Sequence, residues 1–232
     1  MKILRLVALW FVCTALLFVV VKCVSDQEIP TAVMTVFTKN TYAVADSYSW
    51  ESRSRSGSGV WLDHHTFLTA CHVVNGMSRL PVVHSYDHTI KHAMRIDYCD
   101  TQMDVAVLKA EWPNINAKRL RIRAKDPFYG EHVWSAGYRY GLGMTPKDGY
   151  AAAQLEGTSP LQVYAMIADH GDSGSPIFDS NGALLGLVLM VPVIPVTTFM
   201  EQVDVTIPGL VYSASIGQIL YAMKLSKIDP VL

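Results

Sequence analysis

Cysteine is scarce in this 232-residue chain, with 4 in all, and charge is sparse, with Asp, Glu, Lys and Arg at 17%. Cys13 and Cys23 fall in or beside one apolar N-terminal run. That leaves Cys71 and Cys99, too few for a domain stapled by a disulfide framework. For this pair the sequence favours two buried free thiols. A bridge requires Cα atoms within about 7 Å, which spacing alone does not establish. A basic excess is also missing, since 19 Lys+Arg face 20 Asp+Glu for a net charge of −1. Binding to phosphates driven by bulk charge is therefore disfavoured, and no nucleic-acid partner is expected. No internal repeat of about 20–50 residues is visible, which excludes solenoids and propellers. With 15 Gly, 11 Pro and 5 Trp, the chain is neither disordered, nor a coiled coil, nor collagen-like.

Half of the residues are hydrophobic, and part of that total is concentrated at one end. Lys2 and Arg5 precede an uncharged run from Leu6 to Val21, closed by Lys22 and followed by Asp26 and Glu28. As a helix the run would cover roughly 24 Å against a hydrocarbon core of about 30 Å. It suffices as a short span if Arg5 and Lys22 snorkel to the interfaces. An uncleaved signal-anchor is the favoured reading. A cleaved signal ending near Cys23-Val24-Ser25 and a buried core helix are the alternatives. Positive charge on the N-terminal flank would keep that end in the cytoplasm and send the rest across. The expected product is a single-pass membrane protein with its domain on the extracytoplasmic side, or a secreted or periplasmic protein if the segment is removed. On this division residues 1–25 are the membrane address and 26–232 the folded domain.

Beyond residue 25 the chain consists of short apolar or alternating runs, broken by Gly, Pro, Asn and Asp about every 8–12 residues. The expected strands include Ala32–Thr38, Gly59–Leu62, Phe67–Thr69, Leu80–Tyr86, Ile90–Ile96, Val105–Leu108, His132–Ala136, Leu161–Ile167, Ser175–Phe178 and Leu184–Met190. This predicts an all-β antiparallel domain. One helical pattern stands at the end, where Ile216, Ile219, Leu220 and Met223 follow Ser213 and Ser215 as candidate caps. The segment 52–59, with its Ser, Arg and Gly, reads as a solvated loop. Trp61, Trp112 and Trp134 read as core aromatics. His84, His88 and His92 have helical spacing suited to a metal, but the alternating pattern around them predicts a hairpin instead. No metal or cofactor is implied.

The most specific local feature is Gly171-Asp172-Ser173-Gly174-Ser175-Pro176, between two strand-like runs. A serine flanked by glycines can sit on a tight exposed turn beside inward-pointing N–H groups. Its hydroxyl is a weak nucleophile and needs a base, usually a histidine oriented by a carboxylate. Upstream, His72 follows the run Phe67–Cys71, and Asp104 opens the apolar run Val105–Leu108. The order His, Asp, Ser is the one this constellation takes on double β-barrels.

These pieces resemble the chymotrypsin/trypsin-like serine proteases, the HtrA-like and viral members more than the digestive ones. The matching segments are Gly57-Ser58-Gly59, Thr69 to Val74 around His72, Asp104 to Leu108, Gly171 to Pro176, and Gly186-Leu187-Val188. The resemblance implies two six-stranded antiparallel barrels with the site in the cleft between them, and a polypeptide substrate. It assigns Ser173 as nucleophile, His72 as general base and acid, Asp104 as the group orienting the imidazole, and the N–H groups of Gly171 and Ser173 as the oxyanion hole. By the same resemblance Ile167, six before the nucleophile, lies at the base of the primary pocket, Val191 narrows its entrance, and His170 lines it. An apolar base gives Lys or Arg no counter-charge, so a small or medium apolar side chain is the expected preference. Two departures stand out. No activation site that would free an Ile or Val amine precedes the domain, which leaves Asp172 without an evident partner, and Cys71 lacks the partner that secreted members provide. A catalytically silent binding module is the alternative function. The oligomeric state is not legible in the sequence.

Overall fold

The computed structural model describes residues 28–232 apart from 52, 54, 55, 156–160, 192, 198–201, 207 and 208, and gives 193–197 and 202–206 as strands without side-chain detail. The apolar run Leu6–Val21 lies outside the described residues. Among the described residues no helix is long and apolar enough to cross a membrane.

Helix α1 (Thr31–Asn40) opens the described chain, where the sequence predicts a strand over Ala32–Thr38. Its apolar residues serve helical spacing instead. Val33 and Phe37, four apart, are both fully buried, and Phe37 packs on Phe178 with ring centroids 5.9 Å apart. A short apolar run is ambiguous between the two periods, and tertiary packing decides. Asn40 ends the helix by donating its side-chain amide to the carbonyls of Trp61 (2.7 Å) and Lys118 (2.6 Å).

Two closed antiparallel barrels follow. The first comprises β1 (Thr41–Ala45), β2 (Ser56–Trp61), β3 (Thr66–Ala70), β4 (Val82–His84), β5 (Lys91–Asp100) and β6 (Val105–Ala110), in the order β1-β2-β3-β6-β5-β4. The second comprises β7 (His132–Gly137), β8 (Thr145–Leu155), β9 (Leu161–Met166), β10 (Pro176–Phe178), β11 (Leu184–Met190) and β14 (Val211–Ala214), in the order β10-β11-β14-β9-β8-β7. Closure leaves neither sheet an unpaired edge. A separate hairpin, β12 (Val193–Thr197) with β13 (Gln202–Thr206), lies between β11 and β14 in the chain. The predicted all-β class with two six-stranded barrels is thus observed.

Large side chains fill each barrel. Trp61 meets Phe67 edge-on at 5.3 Å and Tyr42 at 6.0 Å. Trp134 is likewise buried, but Trp112 is 74% exposed, against the expectation of a core residue. It sits in the loop after β6, beyond the reach of barrel packing. The segment 52–59 also departs from expectation, because Ser56–Gly59 forms the start of β2, where Ser58 is fully buried. The His84–His92 region is a hairpin as the alternation predicts, with Val83 in β4 opposite His92 in β5. At the C-terminus α3 (Ile216–Leu225) begins at Ser215, whose hydroxyl accepts from the N–H of Gln218 while the Gln218 side chain accepts from the N–H of Ser215. This reciprocal capping box closes two otherwise orphaned donors.

Candidate active site

Strand β3 ends at Ala70 and runs directly into a single helical turn, α2 (Cys71–Val74), which lifts His72 to the rim of the first barrel. Asp104 waits at the start of β6, the strand paired with β3. Three bonds join the two segments. The Cys71 N–H donates to the Asp104 carbonyl (3.1 Å), the His72 N–H donates to Asp104 Oδ1 (2.8 Å), and His72 Nδ1 lies 2.7 Å from Asp104 Oδ2. A carboxylate only accepts, so Nδ1 carries the proton and Nε2 presents its lone pair. Asp104 pays for this with a left-handed backbone, φ +53°. Such a conformation persists only where surrounding contacts over-determine it, as these three do. His72 stays half exposed (49%) while the Asp104 side chain is largely covered (14%).

Cys71 is bridged to Cys99, with Cα atoms 5.2 Å apart, so the expectation of two free thiols is corrected. The topology explains it. Strands β3 and β5 flank β6 on opposite sides, with Ala70 opposite Val105 and Cys99 opposite Ala106. The end of β3 and the end of β5 therefore meet across the first residues of β6. A shift in register between Ile96 and Tyr98 accompanies this approach. The bridge cross-links the first residue of the turn that carries His72 to the end of β5.

Ser173 lies in the loop between β9 and β10, and the carbonyls around it are held one by one. The Tyr140 N–H donates to His170 O (2.8 Å), and the Ser58 hydroxyl to Gly171 O (2.6 Å). The Ser175 N–H donates to Asp172 O (2.9 Å), and the Ser58 N–H to Ser173 O (2.8 Å). Each peptide is planar and trans, so pinning a carbonyl on one side turns the following N–H to the other. Among the described residues the N–H groups of Gly171 and Ser173 have no backbone acceptor. Gly171 reaches this arrangement at φ +93°, a region that glycine occupies without the Cβ penalty. Ser58, from the first barrel, thus clamps the loop of the second; it also accepts from the Tyr138 N–H (2.9 Å).

Two depressions share His72, His170 and Ser173. The larger, with a volume of about 880 Å³, is also lined by Asp104, Ile167, Leu189, Met190 and Val191. The smaller, about 430 Å³, is more polar and lined by Arg53, Ser56, Tyr140 and Gly171. Ile167 is 65% exposed, so it forms an apolar wall of an open cleft. His170 is exposed and faces Tyr140 with ring centroids 6.1 Å apart. Ser173 Oγ and His72 Nε2 share no hydrogen bond in this structure, and catalytic bonds of this kind commonly tighten only in the substrate complex.

Sequence reasoning left Asp172 without a partner, and the structure supplies two. Its side chain is buried, with Lys147 Nζ 2.6 Å from Oδ1 and Arg139 Nε 3.3 Å from Oδ2. Burial pulls the Lys147 ammonium below its usual pKa range, and the charge of Asp172 opposes that pull. Asp169, also missed, lines the larger depression. The Tyr140 hydroxyl, followed by the His170 N–H, holds its carboxyl below the usual range. Arg139, Lys147 and Asp169 carry no local sequence signal, and Gly57-Ser58-Gly59 marks a segment without revealing that Ser58 clamps the serine loop, because these roles arise from contacts between distant segments.

A family model described as a trypsin-like peptidase domain matches residues 57–187, more than half of the chain. The chain belongs to the trypsin-like peptidase family. Serine endoprotease DegS of Escherichia coli K12 is 32% identical over 145 residues, which is 56% of this chain and 38% of the relative. Protease Do-like 1 of Arabidopsis thaliana chloroplasts is 30% identical over 143 residues, 57% of this chain and 32% of the relative. The chain thus spans about a third of the length of the curated relatives it matches. Among solved structures, Rv3671c of M. tuberculosis H37Rv in an inactive form aligns with a TM-score of 0.67 at 18% identity, covering 88% of this chain and 94% of that one. A serine endoprotease of Yersinia pestis aligns at 0.66 with 22% identity, covering 86% and 68%. At these identities the structural matches speak for the shared fold.

Proposed function

We propose that this trypsin-like peptidase is an active serine endopeptidase working through Ser173, His72 and Asp104. One observation carries the reading. The His72–Asp104 pair from one barrel and Ser173 from the other line the same cleft, and among the described residues the Gly171 and Ser173 N–H groups have no backbone acceptor. In the reaction Ser173 Oγ attacks the scissile carbonyl and its proton passes to His72 Nε2. Asp104 stays ionised and stabilises the imidazolium. The oxyanion is received by the N–H groups of Gly171 and Ser173, an interaction worth about 2.7–4 kcal/mol per donor in comparable sites. Imidazolium then protonates the leaving amine, and water, activated by the same His72, releases the acyl group.

The larger depression supports a small or medium apolar side chain at the cleavage position, since Ile167, Leu189, Met190 and Val191 offer it apolar walls. His170 sits where it would meet polar substrate groups. Profiling with a peptide library, with purified Ser173→Ala as control, tests both statements. Cleavage after apolar residues that vanishes in Ser173→Ala is expected. Equal hydrolysis by Ser173→Ala ends the catalytic reading, as would a silent wild type, and efficient cutting after Arg ends the specificity reading.

Export with an N-terminal anchor through residues 6–21 belongs to the same proposal, on the strength of the positively charged flank Lys2 and Arg5. Mass spectrometry of the mature protein decides it. Retention of residues 1–25 is expected, and a start near Asp26 contradicts an anchor.

A further inference from the structure

The smaller depression holds a cation that acyl transfer itself does not use. It borders His72, Gly171 and Ser173, and beside them it is lined by Val73, Tyr140 and Arg53; none of its described lining residues is Asp or Glu. Arg53 comes from the segment between β1 and β2, which the sequence marks as a solvated loop. The structure instead seats its guanidinium on a built platform. The guanidinium carbon lies over the Trp50 ring, 3.9 Å from the centroid, and Nη1 donates to the Trp50 carbonyl. Trp50 is itself held from both barrels. It is 7% exposed, its indole N–H donates to Gly141 O (3.1 Å) in the turn after β7, and its ring stacks on His88 of the β4–β5 hairpin with centroids 4.4 Å apart and planes 19° apart. Gly141 admits the arginine, because a Cβ there would collide with the guanidinium.

Packing on Trp50 accounts for the face of the guanidinium but not for its charge. Among the described residues no Asp or Glu forms an ion pair with Arg53. The Trp50 carbonyl takes one N–H group, and a guanidinium has several more to offer. The place of the depression says what could meet them. In the proposed reaction the acyl half of the substrate fills the larger depression and His72 protonates the departing amine. The chain beyond that amine therefore continues on the other side of Ser173, along the smaller depression and past Arg53.

We propose that Arg53 is a specificity-determining residue that binds a carboxylate on the leaving-group side of the scissile bond, supplied by an Asp or Glu side chain or by the substrate's own C-terminus. A guanidinium matches a carboxylate with paired N–H donors, and these charge-assisted bonds are stronger than neutral ones. Holding the group on Trp50 before the substrate arrives lowers the cost of ordering it. The proposal rests on the reading of Ser173 as nucleophile, and one arm of its test does not need turnover.

Peptides with a common apolar residue before the scissile bond carry Glu or Gln at the first, second or third position after it. A further pair ends shortly beyond the bond in a free carboxylate or an amide. The members of each pair are mixed, and their products are counted by mass spectrometry. Because both compete for the same folded enzyme, the ratio of their kcat/KM values does not depend on how much of a variant folds. At low ionic strength the wild type is expected to favour the carboxylate member of at least one pair about tenfold, and high salt should shrink that ratio. Arg53→Gln brings the ratio to about 1, Arg53→Lys keeps part of it, and Arg53→Glu turns the preference towards Lys at the same position. A preference confined to the Glu peptides assigns the ligand as an acidic side chain, and one confined to the free terminus assigns it as the chain end. Wild-type ratios within about twofold of 1 in every pair, or a preference that Arg53→Gln leaves unchanged, overturn the proposal. In the second arm the same peptides are titrated calorimetrically onto Ser173→Ala, where the carboxylate member should bind about tenfold more tightly and lose that advantage in Ser173→Ala/Arg53→Gln. If the wild type cleaves nothing, the catalytic reading has failed, and equal binding of the paired peptides would overturn the role of Arg53 by itself.

Discussion

The first barrel presents His72 and Asp104 on a half-open rim, held by short hydrogen bonds and the Cys71–Cys99 bridge, whereas the second secures Ser173 from behind with charges closed off from water. The difference follows from what each half has to do. An imidazole that takes and returns a proton needs a fixed tautomer and access to the substrate, so local hydrogen bonds suffice. Backbone donors awaiting an oxyanion need a rigid loop, since they act without reorganising as the charge develops. Ser58 ties the two halves together, bonding to Gly171 and Ser173 from a strand of the opposite barrel.

Substitutions in the first barrel separate what the hydrogen bonds and the disulfide each contribute. The largest effect is expected at the carboxylate of the first barrel. Asp104→Asn would offer an amide to His72 Nδ1 and favour the wrong tautomer, and kcat should fall about 10⁴-fold with the fold intact. Steady-state kinetics measures it, and a loss smaller than tenfold would mean that Asp104 does not orient the base. A smaller effect on turnover is expected from opening the bridge. Cys71→Ala/Cys99→Ala releases a cross-link between residues 28 apart and should cost about 3–4 kcal/mol of stability in denaturant titration. At temperatures where the variant stays folded, kcat should remain within about threefold, because the three hydrogen bonds to Asp104 survive. If turnover disappears while the domain is folded, the bridge rather than those bonds sets the geometry of His72.

Much of this molecule was legible before its structure. The alternating runs announced strands, and Gly171-Asp172-Ser173-Gly174 with His72 and Asp104 in that chain order announced the site, because turn glycines and strand-end polar residues leave local marks. The first helix was misread because Val33 and Phe37 satisfy a helical period inside a run short enough to pass for a strand. The expected strands do not cover β1, β14 or the long β8, the last because its inward positions Lys147, Gly149 and Ala151 carry no large apolar side chains to mark the alternation. The Cys71–Cys99 bridge depends on which strands flank β6, and the partners of Asp172 depend on how β8 and the turn after β7 pack behind the loop. Information of that kind resides in the tertiary arrangement, where sequence spacing has no purchase.

In the proposed mechanism Ser173 is an activated nucleophile beside two backbone donors. The crystal structure of the protein after reaction with a fluorophosphonate tests this most directly. The expected result is phosphorus bonded to Ser173 Oγ, with the phosphoryl oxygen about 2.7–3.1 Å from the nitrogens of both Gly171 and Ser173. An unlabelled Ser173, or an adduct whose oxygen turns away from those two N–H groups, would contradict it.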